Sequence, residues 1–259
     1  MNPSIPPYPP SRDLLTGKSV VITAAAGSGI GFATAKRCAE EGAKVMLSDW
    51  HERRLGEAVD QLVQEGFDVM GTICDVTKED DVQGLINSAV KNFGKIDVMI
   101  NNAGLGGQDN LAEMEDEQWF RVMDVTLNGT MRCSRAALKH MMGTEMGVIV
   151  NNASVVGWRA QAGQSHYAAA KAGVMALTRC SAIEAAPFGI RVNAVSPSIV
   201  NHPFLEKVSD PDLLARLESE EAFGRGAEPW EVANVIIFLA SDLSGYMTGE
   251  CVSVSSQRA

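Results

Sequence analysis

The stretch Val20-Val21-Ile22-Thr23-Ala24-Ala25-Ala26-Gly27-Ser28-Gly29-Ile30-Gly31 decides the architecture of this chain. A short β-branched run suits a strand buried on both faces. Small residues then make a tight turn, and apolar residues at helical spacing follow from Ile30 to Glu41, with Gly42 as the stop signal. The same unit recurs outward along the chain. Lys44 to Ser48 reads as strand and His51 to Glu65 as helix before Gly66; Asp68 to Cys74 reads as strand and Lys78 to Phe93 as helix before Gly94. Ile96 to Asn101, Gly147 to Asn152, Ile190 to Val195 and Val252 to Val254 complete the strands, with helices at about Asp116 to Met142 and Ser165 to Ala186. Strands joined through helices run parallel, and strands this apolar need helices on both faces. The pattern predicts an α/β fold: one doubly wound parallel sheet of about seven strands flanked by helices.

Pro3, Pro6, Pro7, Pro9 and Pro10 keep the beginning of the chain out of any helix, so residues 1–12 read as an extended arm, ordered only where it packs on a neighbour. No linker rich in Gly, Ser or Pro interrupts residues 14–255, which predicts a single domain over 13–259. The 259 residues are 46% hydrophobic and 21% charged, the balance of a globular chain rather than a disordered one. A net charge of −10 is the wrong sign for tracking nucleic acid or lying on an anionic membrane, so neither is expected as a partner. No apolar run reaches the roughly 18 to 20 residues that span a bilayer, and residues 1–10 lack the pattern of a secretion signal; the expected location is the cytoplasm. Five widely spaced cysteines without a C-x-x-C pair read as small core residues, and four histidines in no ligand pattern predict no metal.

In such a sheet, ligands bind beyond the carboxyl ends of the strands, near the point where the strand order reverses. Thr23, Gly27, Ser28, Gly29 and Ile30 stand after the first strand. Small residues there let the backbone approach a pyrophosphate, and free N–H groups at the helix start supply its positive partner. The alternative is a tight turn that serves close helix packing alone. Asp49 ends the second strand, where a carboxylate accepts hydrogen bonds from the adenosine ribose and repels a 2′-phosphate, or else caps the next helix. That favours NAD over NADP, although Arg53 and Arg54 stand where either could swing toward a phosphate. Asp75 is placed equally for the adenine edge or for capping. Asn102, Ala103 and Gly104 close the fourth strand with small residues that a cofactor could approach.

Ser154, Tyr167 and Lys171 form the decisive constellation. A spacing of four on a helix puts the phenol and the ammonium on one face, one turn apart. A lysine beside a phenol favours the phenolate and pulls its pKa down from about 10. Ser154, just after the fifth strand, can bond the same substrate oxygen. A core tyrosine with a surface lysine is the bland alternative, and the glycine turn with Asp49 in the same chain argues against it.

The glycine turn, Asn101-Asn102-Ala103-Gly104, Ser154, Tyr167-x-x-x-Lys171 and Arg191-Val192-Asn193-Ala194-Val195-Ser196-Pro197 together resemble the short-chain dehydrogenase/reductase family, across about residues 14–255. The resemblance implies a seven-stranded Rossmann sheet, a nicotinamide cofactor, tyrosine as general acid and base, and a homotetramer or homodimer. It adds Val76, Pro197 and Ile199 to the cofactor contacts. Within the family, Trp158-Arg159-Ala160-Gln161 and the ending Val252 to Ala259 are most similar to actinobacterial enzymes of steroid C/D-ring catabolism that act on a ring hydroxyl of a bicyclic indanone carboxyl-CoA. Four departures stand out. Ala24 replaces the first glycine of the turn, with one extra residue before Gly29. Thr126 holds the usual place of a catalytic asparagine, and Asn128 is no easy stand-in because two helical residues rotate it by about 200°. Ser198 and His202 replace a glycine and a threonine.

The expected reaction is reversible hydride transfer between NAD and a secondary alcohol or ketone, with Tyr167 exchanging the hydroxyl proton. Ser198 to Arg225 reads as an amphipathic lid over an apolar body. Trp158, Arg159, His202 and Phe204 are the substrate-side candidates, and Arg159 could dock a CoA phosphate. Two rivals remain: a 3-oxoacyl thioester reductase of fatty-acid type, separated by the shape of the lid walls, and a nucleotide-sensing protein without turnover, separated by NADH formation. Thr126→Asn is expected to be tolerated.

Overall fold

The computed structural model describes residues 5–144, 146–202 and 211–256. Seven strands, β1 (Ser19–Ile22), β2 (Lys44–Asp49), β3 (Val69–Ile73), β4 (Val98–Asn101), β5 (Gly147–Asn152), β6 (Ile190–Pro197) and β7 (Cys251–Val254), form one sheet in the order β3-β2-β1-β4-β5-β6-β7. Every pairing is parallel, as the alternation of strands and helices requires. The order reverses between β1 and β4, whose register sets Val20 beside Val98 and Ile22 beside Ile100. A crevice at the carboxyl ends of these two strands follows from that reversal.

Side chains alternate across the sheet and build two cores. On one face Val20, Ile22, Val45 and Leu47 pack with α1 (Ile30–Glu40), α2 (Glu52–Gln64) and a helix over Pro229–Ala240. On the other face Val21, Met46 and Met99 pack with α3 (Glu79–Phe93) and with the helices α5 (Gly129–Met141) and α6 (Ser165–Ala185). A buried polar row crosses the second face. Asn101 donates to Ser134 at 2.9 Å and to Asn151 at 2.8 Å, and Asn151 donates to Thr178 at 2.9 Å.

The expected helix from Asp116 to Met142 is continuous but carries a π turn. It runs as α4 (Asp116–Met123), a π turn over Asp124–Asn128, and α5. Sequence periodicity also passes over two later helices, α7 (Pro211–Glu220) within the expected lid and α8 (Pro229–Ala240). The second of these starts at Pro229 behind a capping box between Glu228 and Glu231. Phe204 and Leu205 lie outside the described residues.

The proline-rich arm is tied to its own chain at Tyr8. The Tyr8 hydroxyl donates to Glu40 at 2.7 Å, its ring meets Trp230 edge-on at 5.4 Å, and Arg37 stands 5.5 Å over it. Glu41, fully buried, accepts the N–H of Arg12 at 2.9 Å and of Leu14 at 3.1 Å and pairs with Arg37. Among the described residues no helix is long and apolar enough to cross a membrane.

Candidate active site

The glycine turn is held from beneath. Thr23 Oγ1 accepts the N–H groups of Asn102 and Ala103, each at 3.0 Å, and Ala25 N–H donates to Ser48 at 2.9 Å. Ala24, where the family pattern has glycine, adopts φ +50, a left-handed conformation that costs an alanine of order 1 kcal/mol. Its carbonyl and that of Thr23 accept the Asn102 amide at 3.0 and 3.2 Å. Gly31 permits this arrangement, since a Cβ there would strike both the Ala24 carbonyl and the Asn102 amide. α1 begins after Gly29 with no side-chain cap and no acidic residue in its first turn. Gly27, at φ +96, has open space where a side chain would be. Ser28, Gly29 and Ile30 thus bound an uncapped, positive helix end under an open cradle, which fits a pyrophosphate. His202 borders this cradle, 3.9 Å from where a Cβ on Gly29 would stand.

Asp49 lies 5% exposed at the end of β2, accepts the His51 N–H at 3.0 Å and stands 3.9 Å from Arg54. The cap of α2 is His51 and not Asp49. Asp75 does not cap α3 either, because Lys78 takes that position. Its carboxylate accepts the N–H and hydroxyl of Thr77 at 3.0 and 2.7 Å and lies 3.5 Å from Lys78. Burial would raise its pKa, but the Thr77 donors and Lys78 outweigh burial and hold it below the ordinary range. Val76, buried against Gly129, offers its carbonyl to Arg132 at 3.3 Å. Pro197 closes β6, and beyond it the Ile199 carbonyl accepts Ala227 N–H at 2.9 Å.

Ser154, Tyr167 and Lys171 converge. Ser154 follows β5 at the start of a short 3-10 turn, and its hydroxyl bonds that of Tyr167. Lys171 is 2% exposed and donates to the Asn152 carbonyl at 2.5 Å, with its ammonium 5.5 Å from the centre of the Tyr167 ring. Gly104 leaves it room, for a Cβ there would lie 3.3 Å from Nζ. Without ligand the phenol is not depressed as the pairing predicts. Burial pushes Tyr167 up to about 12, opposed by the Ser154 hydrogen bond, and burial pulls Lys171 down to about 7. Burial of both groups disfavours both charged forms, which explains the difference.

Thr126 is fully buried in the π turn, and its hydroxyl accepts Leu105 N–H at 2.9 Å and donates to Leu105 C=O at 3.1 Å. Its own carbonyl accepts the Thr130 hydroxyl at 2.8 Å. The position is therefore packed for a small β-branched side chain, contrary to the expectation that asparagine would be tolerated. Asn128 bonds Asp124 at 3.1 Å, away from this centre. Trp158 is 52% exposed on the rim beside the partly buried Arg159. Sequence reading missed His166, 2% exposed under the loop at Gly107, with an enclosed Nδ1 that has no hydrogen-bond partner. It also missed Asn152.

A family model described as enoyl-(acyl carrier protein) reductase matches residues 24–256. The chain is 58% identical, over 99% of both sequences, to the (5R,7aS)-5-hydroxy-7a-methyl-1-oxo-2,3,5,6,7,7a-hexahydro-1H-indene-carboxyl-CoA reductase of Mycobacterium tuberculosis. It superposes on a short chain dehydrogenase from Mycobacterium smegmatis with a TM-score of 0.89 at 57% identity, covering 99% of each chain. An NAD+-bound xylitol dehydrogenase, 31% identical, matches with a TM-score of 0.88 over 93% of this chain and 99% of its own.

Proposed function

The chain belongs to the short-chain dehydrogenase/reductase family, and on that premise we propose that it interconverts a ring hydroxyl and a ketone on a bicyclic carboxyl-CoA thioester of steroid breakdown, using NAD. The observation that carries this reading is the convergence of Ser154, Tyr167 and Lys171 beside a glycine turn that fits a dinucleotide. The nicotinamide cofactor supplies the acceptor or donor of hydride. Every other step falls to the protein. Tyr167 takes the hydroxyl proton on oxidation and returns it on reduction, and Ser154 orients the carbinol oxygen. Lys171 would hold the nicotinamide ribose and, when protonated, would steady the phenolate and lower the phenol from the value of about 12 that burial sets.

The CoA thioester rests on the Mycobacterium tuberculosis relative, whose name specifies one. Trp158 and Arg159 supply an aromatic plane and a cation at the rim, where the phosphates of such a substrate would dock. NAD preference rests on Asp49, and the assembly we propose is a homotetramer or homodimer in the cytoplasm. The test is Tyr167→Phe, assayed by NADH formation from a ring-hydroxy carboxyl-CoA thioester. Turnover should fall by about 10² to 10⁴ while NAD affinity stays within a few-fold. Near-normal turnover would remove the assignment.

A further inference from the structure

With Thr126 sealed on both its hydroxyl and its carbonyl, the lysine of the site is held from elsewhere. Among the described residues its ammonium is held by β5: Lys171 Nζ donates to the Asn152 carbonyl. The same residue reaches sideways, its amide donating to Asn102 Oδ1 at 2.9 Å. The Asn102 amide in turn donates to the Thr23 and Ala24 carbonyls inside the glycine turn. Hydrogen bonds joined through the side chain and main chain of Asn152 therefore link the glycine turn, across the tips of β4 and β5, to the lysine one helical turn from Tyr167. Asn152 Oδ1 is enclosed and accepts nothing, so the amide is oriented by its donor side alone.

We propose that Asn152 is the positioning residue of Lys171, its main-chain carbonyl holding the ammonium and its side-chain amide tying that carbonyl through Asn102 to the glycine turn, in place of an amide at position 126. This rests on the catalytic reading of Tyr167 and Lys171 given above. It makes the placement of the proton machinery depend on the shape of the cofactor turn. Ala24 in its left-handed conformation belongs to that dependence, because its carbonyl is one end of the path.

Two variants test it. Asn152→Leu keeps the number of side-chain heavy atoms and the main-chain carbonyl but removes the tie to Asn102. Asn152→Asp keeps the shape and places a carboxylate on the residue whose main-chain carbonyl holds the ammonium. Titration of Lys171 in the ligand-free protein is read by NMR of ε-13C-lysine, assigned by loss of the signal in Lys171→Arg. The Asp variant should raise the Lys171 pKa by about one unit or more, as an opposite charge nearby does. The Leu variant should lower kcat by about 10- to 100-fold, the cost of misplacing a catalytic group by about an ångström. Its kcat should also show a shifted pH profile. The proposal is overturned if Lys171 titrates as in wild type in the Asp variant, or if the Leu variant folds and keeps the wild-type kcat and profile. Should Leu fail to fold, the lysine titration in the near-isosteric Asp variant decides alone. Activity in Tyr167→Phe would instead overturn the underlying catalytic reading, so the two failures are distinguishable.

Discussion

Asp49→Asn isolates one charge in the cofactor site. The carboxylate is nearly enclosed at the end of β2, and its Oδ1 holds the His51 N–H at 3.0 Å, a bond that an asparagine Oδ1 can keep. The loop into α2 therefore retains its shape while the negative charge goes. If Asp49 binds the adenosine ribose as proposed, a 2′-phosphate would bring like charge against it, and at a separation of about 5 Å each pair of unit charges interacts by about 3 kcal/mol at an effective dielectric near 20. The phosphate carries about −1.5 to −2. Arg54, 3.9 Å from the carboxylate, offsets part of that repulsion now and becomes available to the phosphate once Asp49 is neutral. The ratio of kcat/KM for NAD to that for NADP should fall by about 10² to 10³, which is roughly 3 to 4 kcal/mol. The assay is initial-rate NADH and NADPH formation from one alcohol at fixed ionic strength. A ratio that moves less than about threefold would refute the electrostatic account of cofactor choice.

Other expectations follow from equally local features. Glu41→Ala leaves two arm N–H groups and one side of the buried Arg37 without a partner and should cost about 3 to 5 kcal/mol in urea melts. Burial alone would raise the Glu41 pKa, but the N–H groups of Leu14 and Arg12 together with Arg37 lower it; its stabilisation is thus present above the ordinary carboxylate range and lost as pH falls through the lowered value, so the gap to the variant should close in acid. Thr126→Val removes both bonds to Leu105, at about 1 to 3 kcal/mol for each buried group left unpaired, and Thr126→Asn should lower the melting temperature by overpacking. Lys171, held near 7 when folded, releases its proton before the unfolded chain does. Ligand-free stability should rise from about pH 7 toward the ordinary lysine value of about 10.4, and Lys171→Met should abolish that slope in melts across pH.

The sheet was legible because its strands are short apolar runs that alternate with helices, the first three of which end at turn glycines, a local signal. α8 escaped because Val232 to Leu239 is apolar on nearly every side and shows no stripe; the capping box at Glu228 and Glu231 with Pro229 was the signal to use. The π turn was not legible, since nothing local distinguishes Asp124 to Asn128 from a helix. What marks it is Thr126 reaching Leu105, a contact across 21 residues. Ser154, Tyr167 and Lys171 could be read because their spacing and order are characteristic. Asn152 could not, because its role rests on which oxygen the lysine meets, and only the packing of α6 on β5 sets that. The arm's course likewise depended on Tyr8 finding Glu40 and Trp230, partners remote in sequence.

The polar row through Asn101, Asn151, Ser134 and Thr178 bears on how the chain reaches its structure. In a sheet of nearly interchangeable valines and isoleucines, a strand displaced by one residue would still bury hydrocarbon. Such a slip of β5 against β4 would send the Asn151 amide to the opposite face and strand the Asn101 and Thr178 groups in hydrocarbon, unpaired. The row thus acts as a check on assembly, rejecting near-miss pairings that greasy side chains alone would accept. It stands immediately below Asn102 and Asn152, so a chain that passes the check has also aligned the two strand tips that bond each other beside Lys171.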